Sequence, residues 1–327
     1  MICRRSLLHR SAAAASLALA APAARAQGDF PSRPLRVVVP FAPGGIIDVV
    51  ARTVTDRMQG VLGRPMPVEN QGGAGGTIGS ATVARAAPDG HTLLVNGTGH
   101  AVTRVLFPDF PFDPLRDFAP VGLIGKQPFV LAVHPSVPAR DVGSLLAWLR
   151  SKGGDANFGT TGVGAGSHLS GELLKARAGV GFTVVSYRGT PAAVTDLLAG
   201  RVDMMIDSQT LLAPLMRDGG VRGLAVTSRE RSAMLPELPT LQEAGVEGYD
   251  ATSWQALYAP AGTPGPIMAR LAAALAQVMA DPATRARFAE VGVEPFTDNS
   301  PATAISYITA EMAKWEPVLR TGAGRTP

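Results

Sequence analysis

The chain has 327 residues, with 30 lysines and arginines against 26 aspartates and glutamates, and a formal net charge of +4. This excess lies in residues 1–26, which carry four arginines and no acidic residue, so residues 27–327 have no formal net charge. A balanced charge argues against nucleic-acid binding. The only cysteine, Cys3, lies in the same segment, so the rest of the chain has no disulfide or thiol chemistry.

Residues 1–26 form the first recognisable segment. Arginines precede an alanine-rich apolar run, "SAAAASLALAAPAA", which ends at the small-x-small pattern Ala24-Arg25-Ala26. This pattern predicts a signal peptide that is cleaved before Gln27, and therefore export of the chain. A retained membrane anchor would need ~20 strongly apolar residues, and this run is shorter and mostly alanine. The adjacent arginines near the start fit a twin-arginine signal or an ordinary secretory signal equally.

After the signal, strand-like and helix-like patterns alternate. About 300 residues exceed the usual size of one hydrophobic core, so two domains are expected. The alternation is typical of an α/β fold whose parallel sheets are covered by helices on both faces. The predicted strands are RVVVPF, HTLLVNG, PFVLAVH, ANFGT, FTVVSY, VDMMIDS, RGLAVTS and WQALYAP. The predicted helices include residues 141–152, 167–178, 191–199 and 211–217, and two helical patterns without an intervening strand end the chain.

A glycine turn in "FAPGGIIDVVAR", residues 41–52, joins the first strand to a helix. The apolar run stops at Pro43-Gly44-Gly45, and apolar residues then recur at helical spacing. Such a turn directs several backbone N–H groups toward one point at the positive end of a helix. It can therefore hold an anion without a basic side chain.

The glycine-rich string "NQGGAGGTIG", residues 70–79, also separates a strand pattern from a helix pattern. Neither the dinucleotide motif G-x-G-x-x-G nor the phosphate-loop motif G-x-x-x-x-G-K-[ST] can be written through it, so a nucleotide site is disfavoured. It resembles another strand-to-helix turn, and a flexible surface loop is the alternative.

The string "NFGTTGVGAGSHLSGELL", residues 157–174, repeats the design of the first turn, with Ser167 as the expected N-cap of its helix. In open α/β sheets, ligands bind beyond the carboxyl ends of the strands. Two sheets that face each other would place the two turns on opposite walls of one cleft. The sequence therefore predicts a small carboxylate held between two domains.

Seven strings, in chain order, resemble the tripartite tricarboxylate transporter receptors, also called Bug-type proteins. The resemblance covers nearly all of the chain after the signal. It implies a two-domain, type II periplasmic-binding fold, each domain being a mostly parallel sheet flanked by helices. The strings are PLRVVVPFAPGGIIDVVAR, VENQGGAGGTIG, FDPLRDFAPVGLIG, NFGTTGVGAGSHLSGELL, VVSYRGTPAAVTDLLAGRVDMMIDS, LAVTSRERSAMLPELPTLQEAGVEGY and YAPAGTPGPI.

The resemblance also implies what such a protein does. It is expected to be a monomeric periplasmic protein that closes on a small carboxylate and delivers it to the permease subunits of a membrane transporter. It is expected to be neither an enzyme nor a cofactor carrier. Domain 1 is expected to comprise residues 27–126 and 251–327, because the terminal helices need a partner sheet, and domain 2 residues 127–250.

The family's ligand loops can be placed on this sequence. The resemblance assigns ligand contacts to Ala42, Pro43, Gly44, Gly45, Ile46, Asp48, Thr160, Thr161, Gly162, Gly164, Ser167, His168 and Asp207, with Thr98, His100 and Thr190 at comparable turns. Ile47 stands where relatives often have threonine, which removes a hydroxyl contact but leaves the backbone contacts.

Several of these residues have an alternative structural role. Asp48 could instead stabilise its helix N-terminus. His168 could cap the backbone. The side chains of Thr98, His100 and Thr190 could stabilise the turns in which they lie. Trp254 and Tyr258 alternate on one strand face and are expected in the core. No lone arginine marks a second charge on the ligand.

Other classes of site and function are less well supported. The sequence contains neither H-x-x-x-H nor H-E-x-x-H, so no metal site is expected. The neighbours Ser167 and His168 suggest a hydrolase, but adjacent residues point apart and no G-x-S-x-G elbow exists. A receptor of the same fold that signals to a membrane sensor kinase remains open.

Overall fold

The computed structural model describes residues 30–321. The predicted signal peptide lies outside the described residues. The strands are β1 (Arg36–Val39), β2 (Val68–Asn70), β3 (Thr92–Gly97), β4 (Phe118–Val133), β5 (Gly154–Thr160), β6 (Phe182–Ser186), β7 (Met204–Ser208), β8 (Arg222–Val226), β9 (Thr252–Pro260) and β10 (Glu294–Pro295). The α-helices are α1 (Ile46–Leu62), α2 (Thr77–Ala84), α3 (Thr98–Ala101), α4 (Thr103–Leu106), α5 (Val142–Lys152), α6 (Gly166–Ala178), α7 (Thr190–Leu198), α8 (Gln209–Arg217), α9 (Gly265–Ala280), α10 (Pro282–Glu290) and α11 (Pro301–Thr321).

The strands form two sheet regions that share one strand. The first region has the order β2-β1-β3-β9-β4, with β10 paired to β4, and the second contains β4, β7, β5 and β6, with β8 also paired to β4. Residues 118–128 of β4 pair with β9, whereas residues 129–133 pair with β7 and residues 130–133 with β8. This long strand therefore runs from one region into the other.

The α/β fold class is confirmed, but the sheets are mixed rather than mostly parallel. Strands β1, β2 and β3 are mutually parallel, as are β5, β6 and β7. The shared strand β4 and its neighbour β9 run antiparallel to each other, and β4 is also antiparallel to β7 and β8. A strand that is buried on both faces has the same apolar pattern in either direction, so the sequence does not reveal this difference.

Each sheet region is covered on both faces. In the first region, Val37 and Val39 pack with α1, α9 and α10, whereas Val38 on the same strand packs on the opposite face. In the second region, Leu131 packs with α5 and α6, and Val130 packs with α7 and α8. The alternation of neighbouring residues between faces follows from the strand period of two.

The last helix, α11, contributes to the cores of both regions. Its early residues Ala304 and Ile308 pack with the first region, and its later residues Trp315 and Leu319 pack with the second. Helices α9 and α10 pack with the first region alone. The division of the chain into 27–126 with 251–327 and 127–250 stays a prediction, since α11 spans the two regions.

Within residues 30–321, no helix has the length and apolar character needed to span a membrane.

Candidate functional site

A cavity of about 60 Å³ lies between the two sheet regions, where the N-termini of α1, α6 and α7 converge. The start of α3, Phe129 of β4, the end of β7 and the start of β9 complete its wall. It is lined by Phe41, Ala42, Gly45, Ile46, Ile47, Asp48, Thr98, Gly99, Phe129, Thr161, Ala165, Gly166, Ser167, Gly189, Thr190, Asp207, Ser253 and Trp254. Among the residues that the structure describes, no lysine or arginine lines this cavity.

The first wall is the turn that begins α1. Gly45 is the N-cap residue, and the first helical hydrogen bond runs from the Val49 N–H to the Gly45 carbonyl oxygen at 3.1 Å. The N–H groups between these two residues precede the helical ladder and have no helical acceptor. They are available to an anion at the positive end of the helix.

Asp48 holds this turn in shape from inside the first helical turn. Its carboxylate accepts the Gly44 N–H at 3.0 Å and the Asn70 side-chain amide at 2.9 Å, and it forms an ion pair with Arg52 at 3.0 Å. Burial acts to raise the pKa of Asp48, but these hydrogen bonds outweigh burial and lower it below 3.8. Asp48 is therefore ionised at neutral pH, and its charge is largely committed to the turn.

The second wall is the loop before α6. Its N-cap residue is Ala165, so the expectation that Ser167 caps the helix is wrong. The Ser167 hydroxyl instead accepts the Thr161 N–H at 3.1 Å and hydrogen-bonds to the hydroxyls of Thr160 and Thr161 at 2.8 and 2.9 Å. The Ser167 hydroxyl, which lies in the first turn of α6, thus connects the helix to the end of β5. No side chain caps the first N–H groups of α6.

His168 braces the same loop and does not line the cavity. Its Nδ1 atom accepts the Gly164 N–H at 3.3 Å, and the residue is buried. Burial lowers the pKa of His168, with the nearby carboxylate of Glu172 opposing the shift. A neutral imidazole is consistent with an accepting Nδ1. The geometry favours the backbone-capping alternative for this residue.

His100 is a core residue. It packs against Phe118 and Tyr258 with ring centroids 4.6 and 4.7 Å away, and its Nε2 atom lies 3.3 Å from the Pro114 carbonyl oxygen. Complete burial lowers its pKa to about 4, so the ring is neutral at physiological pH. Tyr258 lies in the core, as predicted. Trp254 is equally buried, but it also contributes to the cavity wall.

The third wall is the N-terminus of α7, which faces α1 across the cavity. An added Cβ atom at Gly45 would lie 3.7 Å from the Thr190 hydroxyl oxygen. At Gly189, which has a φ of 120°, an added Cβ would lie only 2.9 Å from the Cβ of Ala42. These distances show that the two walls are nearly in contact here, with glycine at the closest point of approach.

Asp207 is the second acid in the cavity wall. One carboxylate oxygen, Oδ1, accepts the Ser208 N–H at 2.6 Å, and Oδ2 is buried without a hydrogen-bond partner in the described part of the chain. Burial raises the pKa of Asp207 to about 6, although hydrogen bonds from the backbone and the side chain of Ser208 oppose the shift. This carboxyl group differs from that of Asp48 because none of the described lysines or arginines forms an ion pair with it.

The structure brings together nine of the residues assigned from the sequence. Those that line the cavity are Ala42, Gly45, Ile46, Asp48, Thr98, Thr161, Ser167, Thr190 and Asp207. Those that lie outside its wall are Pro43, Gly44, His100, Thr160, Gly162, Gly164 and His168. The role of each residue in ligand binding stays a prediction.

Sequence reasoning missed part of the wall. The lining residues outside the two assigned loops are Phe41, Gly99, Phe129, Gly189, Ser253 and Trp254, whereas Ile47, Ala165 and Gly166 lie within those loops. Gly189 could have been found because it lies just before a predicted helix, residues 191–199. Phe129 and Ser253 could not, because they reach the cavity through the crossing of β4 and β9, which local pattern does not show.

A second cavity of about 300 Å³ adjoins the first and shares Phe41, Ala42, Thr161 and Gly189 with it. The glycine cluster at residues 72–76 forms one side, so this string lies next to the first cavity. Arg188, an exposed residue, lines the other side. Whether an arginine marks a second charge on the ligand stays a prediction. Within residues 30–321, no cluster of three potential metal-binding side chains occurs.

Comparison with known proteins identifies the family. Residues 50–323 match the model of the tripartite tricarboxylate transporter family receptor. The chain belongs to this receptor family. BugT from Bordetella pertussis is 35% identical to it over 297 residues, which cover 90% of this chain and 91% of BugT. The predicted Bug-type resemblance is confirmed, and proteins of this family are periplasmic binding proteins.

Two solved proteins share the fold. An R. palustris protein solved with adipate superposes with a TM-score of 0.85 at 36% identity, covering 90% of this chain and 98% of that one. MatC from Rhodopseudomonas palustris, solved with malate, superposes with a TM-score of 0.84 at 36% identity, covering 89% of this chain and 100% of MatC. The type II binding-protein fold predicted from the sequence is confirmed.

Proposed function

We propose that this protein is a periplasmic receptor that captures a small organic carboxylate between its two sheet regions and delivers it to the permease subunits of a tripartite tricarboxylate transporter. The observation that carries the proposal is the convergence of three helix N-termini on one cavity that lacks a lining lysine or arginine. Such a site selects an anion through backbone geometry.

The electrostatics support an anionic ligand. Each helix N-terminus carries roughly half a positive elementary charge together with N–H donors that the helix leaves free. Two of these termini, those of α1 and α6, begin helices of 17 and 13 residues. Asp48 opposes this field only in part, because Arg52 and the Gly44 N–H already neutralise it. The adipate and malate in two solved relatives are anions of the proposed class.

The site favours binding over catalysis. A hydrolase would require Ser167 to hydrogen-bond to a base, yet its hydroxyl contacts Thr160, Thr161 and the Thr161 N–H. The neighbouring His168 uses Nδ1 to brace Gly164. Both side chains stabilise the loop before α6. This structural role is consistent with a receptor and not with a hydrolase. We expect it to work as a monomer without a cofactor or a nucleic-acid partner.

Ligand capture can be tested with the exported form, residues 27–327. Purified protein is unfolded under mild conditions, and the released small molecules are identified by mass spectrometry. Candidate mono-, di- and tricarboxylates are then added to ligand-free protein while its melting temperature is measured. We expect a carboxylic acid to raise the melting temperature in a concentration-dependent way. A receptor that responds to none of these acids, or only to cations or neutral sugars, contradicts the proposal.

A further inference from the structure

The second cavity lies between the first cavity and the surface of the protein. Among the residues that the structure describes, none that lines the first cavity is exposed. The wall of the second cavity, in contrast, includes the exposed residues Gly72, Gly73, Ala74, Ser186 and Arg188. The second cavity is therefore the outer one, and it is also the larger, with about 300 Å³ against about 60 Å³.

The two cavities meet at a narrow passage between the sheet regions. The residues that line both are Phe41 and Ala42, which follow β1, Thr161, which follows β5, and Gly189, which precedes α7. A Cβ atom added at Gly189 would lie only 2.9 Å from the Cβ of Ala42. Because these two residues belong to facing walls, any separation of the sheet regions widens the passage. A small molecule in the second cavity can then reach the helix N-termini of the first.

Arg188 gives the outer cavity a positive charge. Among the described residues that line the second cavity, it carries the only charged side chain, and no described acid forms an ion pair with it. Arg201, farther along the chain, is paired with Asp196 at 2.7 Å. Residues 27–327 have no formal net charge, so the protein as a whole does not attract anions. An uncompensated cation at the rim of a site raises the association rate of anions.

We propose that the second cavity is the entrance to the first, and that Arg188 at its rim attracts anions into it. Arg188 then determines how fast a carboxylate is captured and not how long it is retained, because the converging helix N-termini that hold it lie beyond the passage. This inference rests on the proposed capture of a carboxylate, and it adds the route of entry and a residue that acts on that route.

Stopped-flow tryptophan fluorescence can measure both rates, because Trp254 lines the first cavity. The probes are propionate, malate, adipate and citrate, which differ in charge. At low salt, we expect Arg188→Gln to slow association about threefold for a singly charged acid and about tenfold for a doubly charged one. The reason is that an anion about 7 Å from a guanidinium in water gains about RT per unit of charge. The difference should largely vanish at about 0.5 M salt, and the dissociation rate should not change.

Two control variants separate the charge at the rim from the charge of the whole protein. Arg188→Lys keeps the positive charge and should associate at the rate of the unmodified protein. Arg150→Gln removes an exposed arginine of α5 that lines neither cavity, and it should also leave the association rate unchanged. If Arg188→Gln instead speeds dissociation, Arg188 holds the bound ligand and the proposal is wrong. An unchanged association rate at low salt would overturn it as well.

A bulky side chain in the outer cavity tests the route itself. Ser186→Trp places an indole in the wall of the second cavity, whereas Thr183→Trp on the same strand lies outside both cavities. An obstructed entrance slows association and dissociation by the same factor, so we expect Ser186→Trp to lower both rates at least threefold with an unchanged dissociation constant, and Thr183→Trp to change neither. Circular dichroism checks that both variants fold.

The remaining outcomes distinguish this inference from the proposed function. Unchanged rates in Ser186→Trp would show that the ligand enters elsewhere, and a weaker affinity would show that the bound ligand occupies the second cavity. Either result overturns the entrance while leaving carboxylate capture intact. Binding of none of the four acids to the unmodified protein would contradict the proposed function itself, and this inference with it.

Discussion

Gly45 shows how a single residue can decide access to the site. Its φ of −76° is open to any residue, so glycine is not required by the backbone. What distinguishes the position is the opposite wall, where the Thr190 hydroxyl oxygen lies 3.7 Å from the place that a Cβ atom would occupy. A larger side chain would therefore occupy the space between the two helix termini, where we propose that the ligand binds.

We predict that Gly45→Val lowers carboxylate affinity at least tenfold while the protein remains folded. The extra methyl groups obstruct the approach of the ligand to the N–H groups of α1. Gly60→Val is the matched control, because Gly60 lies on the exposed side of the same helix with nothing within 4 Å of an added Cβ. Equal affinities for the two variants, measured by calorimetry, would show that the α1 terminus is only scaffolding.

Asp48 gives a pH-dependent test at the same turn. Its pKa is lowered below 3.8 in the folded protein, so its ionised form stabilises the fold above that pH, and the contribution is lost as the pH falls through the folded pKa. We predict that Asp48→Asn lowers the free energy of unfolding by about 1–2 kcal/mol at pH 7 and by less at pH 3, which lies below the ordinary carboxyl pKa of 3.8. Urea denaturation at both pH values measures this difference.

The control for Asp48 is Asp56→Asn on the exposed side of the same helix. It should change stability by less than about 0.5 kcal/mol at either pH. If the two variants lose the same stability at pH 7, the hydrogen bonds from Gly44 and Asn70 do not hold the turn in the way the structure indicates.

At the scale of elements, α11 connects the two sheet regions through one carboxylate. Glu311 Oε2 accepts the indole N–H groups of Trp254 and Trp315, each at 2.9 Å. Trp254 belongs to β9 and lines the cavity, while Trp315 belongs to the core of the second region. Both indoles are almost fully buried, so each needs its acceptor.

We predict that Glu311→Leu costs about 2–6 kcal/mol of stability, because it leaves two buried N–H groups unpaired at about 1–3 kcal/mol each. Glu311→Gln keeps an acceptor oxygen and should cost less. Glu316→Gln disrupts the exposed pair with Arg320 one turn later and should change stability by less than about 1 kcal/mol. Tryptophan fluorescence during urea denaturation reports all three, and a harmless Glu311→Leu would contradict this role of α11.

Local pattern sufficed for the elements that carry the site. The glycine turns before α1 and α6 were predicted because proline and glycine interrupt strand periodicity and helical spacing follows at once. Local pattern did not suffice for α11. Its amphipathic pattern shows that the helix has one apolar side, but it does not show that Ala304 and Trp315 pack with different sheet regions. The Thr161 contact of Ser167 was missed for a similar reason, since an N-cap serine and a loop-bracing serine look alike in sequence.

Long-range placement is what the sequence could not provide. Phe129 and Ser253 lie 124 positions apart and meet at the cavity only because β4 and β9 pair antiparallel next to it. The burial of His100 likewise depends on Phe118 and Tyr258, which come from those two strands. Strand direction and register determine these contacts, and neither leaves a local pattern.

On the scale of the whole molecule, the arrangement fits a cleft that closes on its ligand. Strands β4 and β9 pair where the sheet regions meet, and Gln209 of α8 donates to the Gly292 carbonyl oxygen at 2.6 Å beside them. The walls approach each other at a different place, where Gly189 faces Ala42. One strand, β4, joins the two regions, and the cavity walls approach each other elsewhere. This arrangement is what closure about a hinge requires.

We predict that ligand binding reduces the radius of gyration of the protein and raises its melting temperature. Stabilisation should approach about 2.7 kcal/mol when the free ligand reaches a hundred times its dissociation constant. Small-angle X-ray scattering and thermal denaturation, with and without the acid identified by mass spectrometry, measure both effects. A stabilised protein of unchanged radius would retain the binding site but exclude closure on binding.

Calorimetric titration of the best-binding carboxylic acid into the unmodified protein, Gly45→Val and Gly60→Val tests the central claim most directly. The account predicts one saturable site per chain, an affinity at least tenfold weaker in Gly45→Val, and an unchanged affinity in Gly60→Val. Failure of the unmodified protein to bind any carboxylate, or the same affinity in all three proteins, would contradict capture of an anion by the converging helix N-termini.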